Sequence, residues 1–350
     1  MVKRLGHILE KSEDGVLLTS PYNMRYFSGF TGGEGAVLIT KSNKFLFTDS
    51  RYIEQAEKET DGFILSETND WIKSVGEIVA QESLRSVAFE DDVVSVGQYK
   101  KLDGVTRCCE LVLCSCEINS LRMIKTPDEL KKIQQAEELG CKAFEHILEF
   151  IKPGVREKDI ALEIEYFMRK HGAEKTSFDT IAISGARTSL PHGVPTDKRI
   201  EKGDFVTLDF GCILDGYCSD MTRTVVVGKA TEEQKKIYNA VKIAQQMALD
   251  FIKSGIKGCE ADKVARDYIA DAGYGKYFRH SLGHGVGLLV HELPNLSPRS
   301  EVILLPNMVV SCEPGIYIPD FGGVRIEDLV CITEDGCQNL SPVTKELIEL

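Results

Sequence analysis

The stretch Asp204–Gly228, DFVTLDFGCILDGYCSDMTRTVVVG, decides how the second half of this chain folds. Strand-forming runs flank Asp215-Gly216, a dipeptide suited to the two-residue hairpin turn whose central residues both take positive φ. That turn pairs Leu214 with Tyr217, sets Asp209 opposite Thr222 and sets Asp220 opposite Gly211. The two acids are then diagonal neighbours on one face, with Cβ atoms within roughly 7–8 Å. Like charges so placed repel, and when half-buried each raises the other's pKa unless a cation lies between them. The alternative is that both face solvent, as most Asp at strand ends do.

A second ribbon bears on that choice. Asn307–Thr333, NMVVSCEPGIYIPDFGGVRIEDLVCIT, carries Glu313 after VVSC and Glu327 in GVRIED, each beside a strand-like apolar run. Four carboxylates on two ribbons suit an oxygen-rich divalent site, Mn²⁺ first, then Co²⁺ or Fe²⁺, with Zn²⁺ tolerated. His284, in LGHGVG, offers a nitrogen ligand between glycines that allow close backbone approach. The competing reading of a His in a Gly-rich loop is structural. Arg325 alternates onto the face of Glu327 in a regular strand. Its fork there pairs with a ligating carboxylate or receives a substrate carboxylate.

Upstream, VLLTS (Val16–Ser20), AVLIT (Ala36–Thr40), KFLFT (Lys44–Thr48), FILSE (Phe63–Glu67) and SVAFE (Ser86–Glu90) read as strands. Helical patterns follow Arg51, Asp70 and Val94. At Thr126–Glu129, TPDE opens a long amphipathic helix with a Thr cap, Pro at the first position and Glu at the third. The expected domains are therefore 1–122 and 123–350. In the second, helices at 127–150 and 156–170 precede the first ribbon, and helices at 232–253 and 259–271 precede the second, which reads as a duplicated half-domain. The fold class is α/β (α+β).

Composition excludes several partners. A formal charge of −12 argues against a nucleic-acid phosphate binder. The chain lacks a run of 18 apolar residues, so no membrane span is expected, and it reads as cytoplasmic. Its 11 Cys are scattered and odd in number, unlike a disulfide framework. CCELVLCSC (Cys108–Cys116) has no C-x-x-C spacing or nearby His, so it reads as a buried strand with small apolar thiols rather than a zinc site.

The set LDFG and SDMTRT (Asp209, Asp220), LGHGVG (His284), VVSCEPGIY (Glu313) and GGVRIEDLV (Glu327) resembles the pita-bread metallopeptidases, in the aminopeptidase P and prolidase branch that cleaves Xaa-Pro bonds. YNMRYFSGFTGGEG (Tyr22–Gly35) and TDSRYIEQA (Thr48–Ala56) resemble that branch's creatinase-type N-terminal domain. The resemblance implies a pita-bread catalytic domain with pseudo-twofold internal symmetry and a homodimer. It implies two divalent metal ions, with Asp209 chelating one, Asp220 and Glu327 bridging, and His284 and Glu313 binding the other. The reaction it implies is hydrolysis by a metal-bridging hydroxide, with Glu313 as proton shuttle. The substrates are peptides with proline in the second position, which either lose their N-terminal residue or are split as Xaa-Pro dipeptides. Three further histidines match positions around the substrate: His291 toward the scissile carbonyl, His192 and His280 toward the peptide and its leaving nitrogen. Tyr317, in PGIY, either hydrogen-bonds near the site or packs in the core.

Rival readings fit less of the chain. A methionine-aminopeptidase-like exopeptidase leaves the N-terminal third unexplained, and a creatinase-like C–N hydrolase works without these metals. A non-catalytic pita-bread binding protein has lost ligands, whereas all five are present here. One departure from the family pattern is Leu288-Leu289-Val290, where an acidic residue is usual before the HE pair.

Overall fold

A computed structural model describes residues 2–11 and 13–350. The chain divides into two units, Met1–Arg122 and Met123–Leu350. The strands of the first are β1 (Gly15–Leu18), β2 (Ala36–Thr40), β3 (Lys44–Thr48), β4 (Ile64–Glu67), β5 (Ser86–Phe89) and β6 (Glu110–Leu113). They form one sheet in the order β4-β3-β2-β1-β5-β6, antiparallel at β1-β2 and β2-β3 and parallel elsewhere. Every residue of β1 and β2 is buried, as expected of central strands covered on both faces. Helices Ile53–Glu59, Trp71–Gln81 and Val96–Val105 follow the sequence pattern. The cysteine segment departs from its expected burial. β6 is an edge strand, Leu113 is 65% exposed, and of the four thiols only Cys114 is fully buried.

The second unit opens with the helix Pro127–Leu148, closed at its start by the reciprocal Thr126–Glu129 capping box. Helix Glu157–Lys170 follows, and helices Glu232–Phe251 and Gly258–Asp271 repeat the pair. The strands of the first half are β7 (Lys175–Thr176), β8 (Ile181–Ser184), β9 (Phe205–Phe210), β10 (Cys212–Leu214), β11 (Tyr217–Cys218) and β12 (Met221–Val226). Those of the second are β13 (Gly283–Gly285), β14 (Glu292–Leu296), β15 (Val309–Cys312), β16 (Gly315–Ile318), β17 (Gly322–Arg325), β18 (Asp328–Ile332) and β19 (Cys337–Asn339).

The halves share a common core, to which β7 in the first half and β14 and β19 in the second are additions. β8-β9-β12 matches β13-β15-β18 in order, and the terminal hairpin β10-β11 matches β16-β17. Helices Glu157–Lys170 and Gly258–Asp271 both begin after an isolated bridge to a later segment. Among the described residues no helix is long and apolar enough to cross a membrane.

The first ribbon keeps its predicted register but not its continuity. Leu214 pairs with Tyr217 and Asp209 with Thr222, around Asp215 and Gly216 at φ 48 and 82. Between them the hairpin divides into two sheets at Gly211. A Cβ on Gly211 would stand 1.9 Å from the Ser219 carbonyl oxygen, so the strands approach closer than a side chain allows.

Candidate metal centre

Three of the four ribbon acids stand where the ribbons are interrupted, and the fourth lies in a strand two residues before a break. Asp209 is the fifth residue of β9, and Asp220 occupies the break between β11 and β12. Glu313 occupies the break between β15 and β16, and Glu327 that between β17 and β18. His284 sits in β13 beside a β-bulge at Gly285. All five line one cavity of about 550 Å³, together with His192, His280, His291 and Arg325.

Ligand atoms of Asp220, His284 and Glu327 all lie within 4.8 Å of one another. His284 Nε2 is 3.6 Å from Asp220 Oδ2 and 3.3 Å from Glu313 Oε1. Its other ring nitrogen, Nδ1, faces the Gly285 carbonyl at 3.2 Å and must donate to it. Nε2 therefore presents its lone pair to the acids whenever the ring is neutral. Glu327 Oε2 accepts from Thr222 Oγ1 at 2.7 Å. Asp209 Oδ2 accepts from Arg325 Nη2, while its Oδ1 is buried without a protein partner.

The electrostatics of this set call for positive charge. Burial pushes the carboxyls of Asp209, Asp220 and Glu327 upward; Glu327 adds to the effect on Asp220, and Glu313 to that on Glu327. Burial also acts upward on Glu313, but the His284 imidazole beside it outweighs that and holds it at about 2. His284 shows the reciprocal effect: burial disfavours its charge, yet the Glu313 carboxylate raises it overall. A divalent cation among these donors relieves the repulsion and gives the orphaned Asp209 oxygen a partner, so the residues fit the metal-binding chemistry of an oxygen-rich site with one imidazole.

The remaining predicted residues differ in how free they are. Arg325 is buried and committed, with Nε 3.1 Å from Thr222 Oγ1 and Nη1 2.7 Å from Tyr317 OH. Tyr317 OH in turn lies 2.8 Å from His280 Nε2, and His280 Nδ1 lies 2.9 Å from the Ser281 carbonyl. With a neutral His280 ring, Arg325 donates to Tyr317, Tyr317 to His280, and His280 to Ser281. Burial pulls the His280 pKa down, in keeping with a neutral ring. His192 and His291 are more exposed and stand at the cavity wall. The His291 ring packs edge-on against His284 with centroids 4.3 Å apart, and burial, then the His284 charge, lowers its pKa.

Several contributors escaped the sequence reading. Phe178, Ile181, Pro191, Val194 and Pro195 form an apolar wall, and nothing in their spacing marks them. Glu137 is wholly buried on the apolar face of helix Pro127–Leu148, taking the Asp220 backbone N–H at 3.1 Å and Ser341 Oγ at 2.6 Å. An acid on the buried stripe of a helix was the available signal. Thr222 was placed opposite Asp209 by the turn, yet its reach to Glu327 on the other ribbon was not.

Comparison with known proteins places this arrangement. Residues 131–334 match the model of metallopeptidase family M24, and residues 2–124 match the creatinase/prolidase N-terminal domain. A Xaa-Pro dipeptidase of Pyrococcus furiosus is 40% identical over 97% of this chain and 96% of its own length. The solved Xaa-Pro dipeptidase from Bacillus anthracis superposes with a TM-score of 0.96 at 45% identity, covering 100% of this chain and 99% of that one. The X-Pro aminopeptidase from Thermotoga maritima gives 0.92 at 38%, covering 99% and 100%. With both of its units matched in order and relatives aligned along nearly their whole length, the chain belongs to metallopeptidase family M24, a pita-bread catalytic unit preceded by a creatinase/prolidase domain.

Proposed function

We propose that this protein hydrolyses the Xaa-Pro bond of short peptides, with two divalent cations held by Asp209, Asp220, His284, Glu313 and Glu327. The observation that carries the reading is the single cavity that gathers these five donors, three histidines and an apolar wall. The names of the similar proteins, Xaa-Pro dipeptidase and X-Pro aminopeptidase, support proline as the residue after the scissile bond. Phe178, Ile181, Pro191, Val194 and Pro195 supply an apolar surface against which a pyrrolidine ring can pack.

Divalent cations in such a donor set, Mn²⁺ first and Co²⁺, Zn²⁺ or Fe²⁺ next, supply Lewis acidity and a nucleophilic water near neutral pH. The protein's own groups do the rest. Glu313 Oε1 accepts from Ser311 Oγ at 3.3 Å and stands beside the His284 Nε2 lone pair, which leaves Oε2 to take a proton from water and deliver it to the departing proline nitrogen. His291 hydrogen-bonds the scissile carbonyl as negative charge develops there, and His192 orients the peptide. His280 acts through Tyr317 and Arg325, which hold the Asp209 carboxylate in place.

The test compares Xaa-Pro dipeptides, Xaa-Pro-Yaa tripeptides and Met-Ala peptides at matched Mn²⁺, before and after dialysis against EDTA. The expected result is turnover of Xaa-Pro substrates that is lost on chelation and restored by Mn²⁺ or Co²⁺. The dipeptide-to-tripeptide ratio assigns dipeptidase or aminopeptidase action. Undiminished activity in the chelated protein, or turnover confined to Met-Ala, overturns the reading.

A further inference from the structure

The segment from His284 to His291 carries a proposed metal ligand at one end and a proposed substrate contact at the other, and a buried ion pair lies against it. Lys125 Nζ is 2.9 Å from Glu292 Oε1, with side-chain exposures of 1% and 3%. The Glu292 carboxylate is pressed onto the turn itself, because a Cβ on Gly287 would stand 2.3 Å from Glu292 Oε1. Glu292 also pairs with Gly285 across the bulge that follows His284.

Lys125 is anchored independently of that turn. Its backbone N–H donates to the Asn307 carbonyl at 2.9 Å, Ile124 bridges Met308, and Thr126 caps the helix that follows. The same segment leads into β15 and Glu313, and Val286 N–H donates to the Val309 carbonyl at 3.1 Å. The ammonium therefore ties the His284–His291 turn to the strand that presents Glu313.

A pair of this kind is a poor source of stability, since apolar residues of similar volume often serve as well or better. What it supplies that an apolar pair does not is a directional constraint on Glu292, and through it on the adjacent His291. We infer that Lys125 and Glu292 are positioning residues that pin the His284–His291 turn so that His291 faces the reacting carbonyl. This rests on the proposed peptidase reading for its kinetic consequence, but its structural content, the orientation of His291, does not.

The experiment replaces both charges at once, as Lys125→Met/Glu292→Met, so that neither is left buried alone. Two readouts are taken: kcat and KM on a Xaa-Pro dipeptide with Mn²⁺, and the His291 Hε1 resonance of the metal-free protein, assigned with His291→Asn. The expected result is parental melting behaviour, KM within about twofold, kcat lower by roughly tenfold or more, and a displaced His291 resonance. A parental kcat or a parental His291 resonance overturns the inference, because the pair then serves the fold alone. If the unsubstituted protein fails to cleave Xaa-Pro peptides, the functional reading falls while the resonance still decides this one. Should the Met pair fail to fold, Lys125→Met/Glu292→Gln gives the same two readouts.

Discussion

Arg223 is among the largest fully buried side chains of the described residues, and Arg223→Met tests how the base of the site is supported. Its Nη2 is 2.7 Å from Asp328 Oδ1, and both side chains are almost completely buried, at 1% and 0% exposure. The guanidinium also donates to the carbonyls of Thr222 at 3.0 Å, Val343 at 3.1 Å and Thr344 at 3.0 Å, and to that of Glu327. Methionine keeps the stem and removes the charge and every one of these donors. Breaking a buried pair from one side costs about 3–5 kcal/mol. Asp328 retains Lys345 at 3.0 Å and Gln245 at 2.9 Å, which favours the lower half of that range. At about 2–4 °C per kcal/mol for domains of 150–250 residues, the transition of the second unit should fall by roughly 6–16 °C. Calorimetry and urea unfolding at pH 7 on metal-free protein measure it. Lys345→Met is the control: its ammonium is 19% exposed and its removal leaves Arg223 on Asp328, so it should lose less than half as much. A loss below about 1 kcal/mol for Arg223→Met would show that the network is not the support the contacts describe.

Two further outcomes follow from the geometry. Gly211→Ala places a methyl 1.9 Å from the Ser219 carbonyl oxygen and must part the ribbon between Asp209 and Asp220; metal analysis after dialysis should show lost occupancy, and full retention of metal would refute the role given to this close approach. In the first unit, Asp14 is held well below its ordinary value of 3.8 by hydrogen bonds from Lys41 and from the Arg85 backbone and side chain. A folded-state pKa below the unfolded one stabilises fully above the unfolded value and is lost as pH falls through the folded one. Asp14→Asn should therefore lower the stability of this unit at pH 7, with the deficit shrinking progressively below pH 3.8; a deficit independent of pH would contradict the ion pairing.

How much of this was legible depends on the distance over which each feature is determined. The Asp215-Gly216 turn needs only two residues able to take positive φ, and both do, so the register that sets Asp209 opposite Thr222 followed from local chemistry. The Thr126–Glu129 capping box is likewise closed within three residues. Burial of the cysteine segment was misjudged because an apolar run reads alike in a central and an edge strand, and only strand order places β6 outermost. Lys125 and Glu292 are 167 positions apart, and neither carries a local mark of its partner. The apolar cavity wall leaves no trace at all, since Pro191, Val194 and Pro195 look like any loop until the fold brings them opposite the acids.

The breaks in the ribbons answer how two hairpins turn three of their four acids, Asp220, Glu313 and Glu327, into one cavity. In an unbroken ladder the pleat fixes the face to which each side chain points, alternating along the strand. Interrupting the ladder frees the residue at the break to turn, but it also strands a backbone donor, which burial makes expensive. Here each such donor has a specific substitute. Asp220 N–H goes to Glu137 Oε2 at 3.1 Å, Glu313 N–H to the Leu282 carbonyl at 2.8 Å, and Glu327 N–H to the Thr222 carbonyl at 3.1 Å. The last two substitutes are themselves parts of the site: Leu282 immediately precedes β13 with His284, and Thr222 donates its hydroxyl to Glu327. The groups that repair the breaks thus also register one ribbon against the other, so that the spacing of the carboxylates is set by the backbone and not left to flexible side chains.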